Sequence, residues 1–147
     1  MNKTDRRVFI KTACMACAGF AVVGVTSTML TGCASIHIVK THIEAGIIRV
    51  PLSEFTGKDK ILVRSIELAE DILVLKHIEV GIHPTYSAIY LQCTHQEHEV
   101  SVGDKKLTCS RHGSQFDFNG NVLKAPAKKP LRRFKVTVSE NQLEITI

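Results

Sequence analysis

Cys93-Thr94-His95 and Cys109-Ser110-Arg111-His112 each place one thiol and one imidazole in a short box, and the two leading cysteines lie sixteen residues apart. Thiolates are soft, strongly donating ligands and neutral imidazoles are weaker donors, so the four side chains together can hold a transition metal. Two chemistries use such a set. A structural zinc ion takes two Cys and two His, but zinc fingers place a C-x₂₋₄-C pair ahead of an H-x₃₋₅-H pair, whereas each box here mixes the two types. A [2Fe–2S] centre in which a His pair replaces a Cys pair on one iron also takes these four, and it transfers electrons. Colour separates the two, because zinc protein has no visible absorption.

The second box runs on as Gly113-Ser114-Gln115-Phe116-Asp117, followed by Asn119-Gly120, Ala125-Pro126-Ala127 and Pro130-Leu131. With both boxes, this order resembles the Rieske iron–sulfur domain, whose boxes read C-x-H and C-x-x-H and usually continue Gly-Ser. The resemblance covers the chain from residue 46 to the C-terminus. It implies one [2Fe–2S] cluster per chain, with Cys93 and Cys109 on the iron that stays ferric and His95 and His112 on the iron that accepts the electron. Replacing two anionic ligands by neutral ones raises the potential into a window of about −150 to +300 mV, which suits an acceptor from mild reductants. The imidazole N–H groups of such a centre titrate with redox state, so electron uptake becomes proton-coupled at alkaline pH.

Departures from the family pattern are informative. Respiratory cytochrome bc relatives add a Cys to each box and join the loops by a disulfide, and here those positions carry His98 and Arg111. All five cysteines are otherwise accounted for, since Cys14, Cys17 and Cys33 lie in or at the end of an N-terminal apolar run. The loops are therefore expected to be held by hydrogen bonds and packing alone. High-potential members direct a Ser hydroxyl to a bridging sulfide and a Tyr hydroxyl to a Cys sulfur, and both bonds favour the reduced cluster. Ser114 matches the first, while Phe116 stands where the Tyr would be, so the resemblance implies a potential between those of quinol-oxidising relatives and oxygenase ferredoxins. Gly113 supplies backbone freedom for the turn at the cluster, and Pro126 stiffens a third loop over it. Gln96, Glu97 and His98 replace the apolar docking residues of quinol-oxidising relatives and make a polar tip.

Ligands on loops need a rigid mount, and the remainder of the chain reads as β-structure. Ala34 to Ala45 suits a short tether or a first strand, Ile47 to Leu52 a strand, Thr56 to Asp59 a turn and Ile61 to Ser65 a strand. Glu67 to Lys76 fits a helix through Leu68, Ile72 and Leu75, or a buried strand through Ile72-Leu73-Val74-Leu75, and the family pattern favours the strand. Ser87 to Leu91 leads into the first box and Leu107-Thr108 into the second. Phe134 to Val138 and Leu143 to Ile147 alternate with a period of two and close the sheet. The expected fold is all-β, a Rieske-type antiparallel β-sandwich with a small cluster-binding subdomain of two loops, over residues 46–147.

The N-terminus carries an address. Arg6-Arg7-Val8-Phe9-Ile10-Lys11 precedes a weakly apolar run, and the paired arginines resemble a twin-arginine export signal. Such export suits a cluster assembled in the reducing cytoplasm and carried out in folded protein. Leu30-Thr31-Gly32-Cys33 resembles a bacterial lipobox, which makes residues 1–32 an export and lipoprotein signal and 33–45 a lipidated tether starting at Cys33. Multiple acyl chains anchor stably, each buried CH₂ adding about 0.8 kcal/mol. The competing reading retains the apolar run as an uncleaved inner-membrane helix. Of the formal charge of +5, the leader residues Lys3, Arg6, Arg7 and Lys11 against Asp5 supply three, so the remainder gives little support for nucleic-acid binding. A basic run of Lys124, Lys128, Lys129, Arg132, Arg133 and Lys135 faces an acidic redox partner, anionic headgroups or plain water.

Together these readings describe a membrane-tethered, extracytoplasmic electron-transfer protein that serves redox partner proteins, as a carrier or a small subunit of a respiratory or oxidoreductase system. The alternative is the ferredoxin component of a ring-hydroxylating oxygenase. No mononuclear iron triad is present, and 147 residues leave no room for a separate catalytic domain, so substrate conversion is not expected of this chain. Mass spectrometry of protein extracted from membranes is expected to show cleavage before Cys33 with added lipid; an intact N-terminus would favour the retained helix.

Overall fold

The computed structural model describes residues 35–78 and 83–147, of which Ser35–Ile147 belong to one compact unit. Arg6, Arg7, Cys33 and the apolar run that follows the arginines lie outside the described residues. Among the described residues, no helix is long and apolar enough to cross a membrane.

Among the described residues, eleven strands form two sheets. The larger uses β1 (His37–Thr41), β2 (Ile47–Pro51), β3 (Lys60–Ser65), β4 (Ile72–His77), β5 (Thr85–Tyr90), β10 (Arg133–Ser139) and β11 (Gln142–Thr146), in the order β1-β3-β4-β5-β10-β11-β2. The smaller is a meander of β6 (Ser101–Val102), β7 (Leu107–Thr108), β8 (Gln115–Phe116) and β9 (Val122–Lys124). Every pairing is antiparallel except β1 on β3. Of the two alternatives for Ala34 to Ala45, a first strand forms at His37–Thr41.

Strand β10 turns the corner of the sandwich. Arg133 and Phe134 pair with β5, whereas Lys135 to Ser139 pair with β11, so β11 and β2 swing across the face of β3, β4 and β5. Ile48, Val50, Leu143 and Ile145 from one layer meet Ile61, Val63, Ile72, Val74, Ala88 and Tyr90 from the other in a single apolar cluster. Phe55, from the 3-10 turn Leu52–Phe55, plugs this core and meets Tyr86 edge-on at 5.1 Å.

A second core explains the ambiguous segment of the sequence. Leu73 and Leu75 on the opposite face of β4, with Ile89 on β5, pack against Leu91, Val100, Leu107, Phe116 and Leu131 of the small subdomain. β4 is thus covered on both faces, and Ile72 to Leu75 are all buried. A strand covered on both sides reads as a continuous apolar run rather than an alternating one, and that run also permits a helix. Residues 66–70 are turn and bend, closed by Leu68 N–H donating to the Ser65 carbonyl at 3.2 Å, and the strand begins at Ile72.

This double coverage fastens the site to its mount. Leu73→Ala opens a cavity between the sheet and the subdomain and is expected to cost about 2–5 kcal/mol. Denaturant unfolding checks this through a lower midpoint at an unchanged slope.

Candidate metal centre

Both boxes fold into the same turn. In the first, Cys93 N–H donates to the His98 carbonyl at 2.8 Å and Glu97 N–H donates back to the Cys93 carbonyl at 2.8 Å. In the second, Cys109 N–H donates to the Ser114 carbonyl at 2.9 Å and Gly113 N–H donates back to the Cys109 carbonyl at 3.0 Å. In each case the cysteine bonds the residues four and five places on. The residue at the fourth place takes a left-handed backbone, with φ of 55° at Glu97 and 78° at Gly113. Glycine adopts that region without a Cβ penalty, while for Glu97 it costs roughly 1–2 kcal/mol.

The shared turn points the thiols inward and the imidazoles outward. Cys93 and Cys109 are 2% and 1% exposed and belong to the second apolar core. Neither forms a disulfide, so no covalent bond joins the two boxes. Their thiols face each other, and burial, followed by the neighbouring Cys93, pushes the Cys109 thiol above its usual value. Two adjacent buried thiolates repel and are poorly solvated, so a cation between them is what makes the ionised pair favourable. His95 is half-buried and His112 exposed, with ring centroids 4.9 Å apart and planes nearly perpendicular. Partial desolvation, then the charges of His95, Arg111 and His98, pushes the His112 imidazole below its usual value.

One atom tests the fit directly. Nδ1 of His95 is buried and has no hydrogen-bond partner, an orphan that a bound metal would satisfy. Among the described residues, no three His, Cys, Asp or Glu side chains converge on one ion-sized point. A cluster that divides its ligands as a thiol pair on one iron and an imidazole pair on the other does not need such convergence. The donor set, the orphaned nitrogen and the facing thiols fit a two-iron group.

A third loop closes over both boxes. Ser114, fully buried, accepts the Ala127 N–H at 3.0 Å, and its hydroxyl proton remains available to a further acceptor. Thr94 donates its hydroxyl to the Lys129 carbonyl at 2.6 Å. Pro126 immediately precedes the first of these clasps. Beyond the second box, Asp117 binds the backbone N–H groups of Asn119 and Asn121 at 2.8 Å each. Burial works against the Asp117 charge, yet the amide donors of Asn121, Asn119 and Gly120 prevail and hold its carboxyl below the usual range. Gly120 N–H donates to the Asp117 carbonyl, and Leu131 N–H donates to the Gly120 carbonyl at 2.8 Å. Phe116 is completely buried in the apolar core that contains both cysteines.

Residues 50–135 match the family model of the Rieske [2Fe-2S] domain. The chain belongs to the Rieske family. The Rieske domain binds a [2Fe–2S] cluster, and the sandwich with its small loop-bearing subdomain is the fold expected from the sequence. Among solved structures, the plasma-membrane Rieske protein PetC3 of Synechocystis PCC 6803 is similar at a TM-score of 0.52 and 24% identity, over 66% of this chain and 95% of that one. The ferredoxin of carbazole 1,9a-dioxygenase from Nocardioides aromaticivorans IC177 is similar at 0.45 and 17% identity, over 66% and 92% of the two chains. No curated protein matches the chain.

The structure brings Cys93, His95, Cys109, His112, Gly113, Ser114, Phe116 and Pro126 together at one end of the sheet. Thr94 and the Ala127 backbone N–H are clasps that the sequence did not single out. Each bonds a partner remote along the chain, and only the small polar side chain of Thr94 beside a ligand hinted at it. Ser114→Ala removes the acceptor of the buried Ala127 N–H and is expected to cost about 1–3 kcal/mol and to lower the potential. Phe116→Tyr adds a hydroxyl next to the buried cysteines and is expected to raise it. Voltammetry of the two variants checks both directions.

Proposed function

We propose that this Rieske protein is a membrane-tethered, extracytoplasmic electron carrier, or the small redox subunit of a respiratory or oxidoreductase system, with Cys93, Cys109, His95 and His112 as the cluster ligands. The observation that carries the ligand set is the split in exposure between paired thiols and paired imidazoles on two matching turns. The bound cluster supplies a one-electron couple.

The chain's own residues do the rest. Cys93 and Cys109 sit among Leu91, Leu107, Phe116 and Leu131, which keep water from the thiol side. His95 directs Nδ1 inward, while the exposed ring of His112 offers the edge through which an electron reaches a partner. Ser114 and Thr94 fasten the third loop over the boxes, so the ligand geometry is held without a disulfide. A pre-formed, rigid ligand shell is what a carrier needs, because little then has to move when the charge changes.

The tether and the compartment rest on the sequence. Arg6 and Arg7 support export of the folded protein, and the lipobox at Cys33 supports an anchor, with residues 1–32 as the signal. The polar tip of Gln96, Glu97 and His98 favours a protein partner over a membrane quinol.

Anaerobically purified, reduced protein is expected to give a cluster resonance with nitrogen coupling in electron paramagnetic resonance. His112→Ala and Cys109→Ala are expected to lose the visible absorption and that resonance, and a Rieske spectrum retained in His112→Ala would overturn the ligand set.

A further inference from the structure

Exposed cations border both ligand boxes at the imidazole tip. The Thr94–Lys129 hydrogen bond lays the third loop against the first box, so Lys128 and Lys129, both exposed, emerge beside His95. Arg111, also exposed, immediately precedes His112 in the second box. The ion pairs among the described residues are those of His37, His42, Arg49 and Arg64 with nearby carboxylates, and none involves Arg111, Lys128 or Lys129.

The rest of the basic run behaves differently. Arg133 and Lys135 alternate with the inward Phe134 and Val136 on β10, and Arg132 lies over the Phe134 ring at 4.6 Å. Arg133 and Lys135 thus belong to the wet face of a strand, and Arg132, just ahead of it, is held over an aromatic ring. Acidic groups are also present near the tip, where Glu97 and Glu99 follow the first box. Asp71 is already held by the Arg64 guanidinium at 2.7 Å. Arg111, Lys128 and Lys129 thus border the ligand boxes without an ion-pair partner among the described residues, whereas Asp71 is neutralised by Arg64.

We propose that Arg111, Lys128 and Lys129 form the docking rim for an acidic redox protein, one that presents carboxylates around the edge through which it exchanges its electron. This names the partner chemistry for the electron-transfer reading above and rests on it. Charges beside the exchange edge lie within the screening length of about 8–10 Å at ordinary salt. They concentrate an anionic partner there and raise the encounter rate about tenfold or more when salt is low.

Small oxidants of opposite charge read this field. Hexacyanoferrate(III) takes one electron from the reduced protein and becomes hexacyanoferrate(II), while tris(phenanthroline)cobalt(III) takes one electron as a cation and becomes the cobalt(II) complex. In stopped-flow oxidation of the reduced holoprotein, the hexacyanoferrate rate is expected to fall as salt is raised. Lys129→Glu is expected to lower that rate severalfold at low salt and to raise the cobalt rate.

Lys58→Glu is the matched control. Lys58 follows the 3-10 turn, whose Leu52 N–H bonds the Asn141 carbonyl of the β10–β11 hairpin, at the end of β10 remote from Arg132. It is expected to leave both rates unchanged. Equal rates in the two variants with a normal cluster spectrum would overturn the rim alone, as would a hexacyanoferrate rate that rises with salt. Unchanged oxidation in Lys129→Glu together with lost binding to phosphatidylglycerol vesicles would reassign these cations to lipid headgroups. Protein with no cluster spectrum and no electron exchange would overturn the electron-transfer reading, and the rim with it.

Discussion

The backbone of each box cysteine is bonded twice, to the residues four and five places further along, and this constraint sets the geometry of the whole tip. It curls eight atoms' worth of side chain from each box in opposite directions, sulfur toward the core and imidazole toward water. Because the two turns match, the two sulfurs end up facing each other and the two rings meet at right angles. The difference in spacing, C-x-H against C-x-x-H, is absorbed inside the turns without altering their closing bonds.

Such loops are useful only on a base that does not yield. β4 and β5 provide it by serving two cores at once, with Val74 and Ala88 turned to the sandwich and Leu73 and Ile89 turned to the subdomain. Where relatives carry a disulfide, this chain relies on Ser114 to Ala127 and Thr94 to Lys129. Both clasps reach the same third loop, so cluster retention and loop order are coupled. Glu97 shows what this arrangement costs locally, since it holds a backbone region that its twin position fills with Gly113.

Much of this was legible in the residues. The two boxes, the Gly-Ser continuation and the alternation through Phe134–Val138 and Leu143–Ile147 are local patterns, and local patterns survive into the fold. What escaped was non-local. The double coverage of β4 erased its alternation and left a helix as readable as a strand. The parallel pairing of β1 with β3 depends on a crossover through β2 that no period in His37–Thr41 announces. The basic run looked uniform in sequence, yet the corner at β10 assigns Arg133 and Lys135 to a strand face while Lys128 and Lys129 stay in the loop. The equivalence of the two box turns was hidden because Glu97 and Gly113 have nothing in common as side chains.

The parallel pairing has a mechanical side. β1 enters the large sheet heading toward the end that carries the imidazoles, with His37 opposite Ile61 and Thr41 opposite Ser65. A pull on the chain ahead of residue 35, with the tip held by something it has docked, runs along the axis of β1. That geometry loads the β1–β3 hydrogen bonds in shear, all together, instead of peeling them one at a time. Were the domain leashed from this side, as proposed, it would resist being unravelled by its own leash.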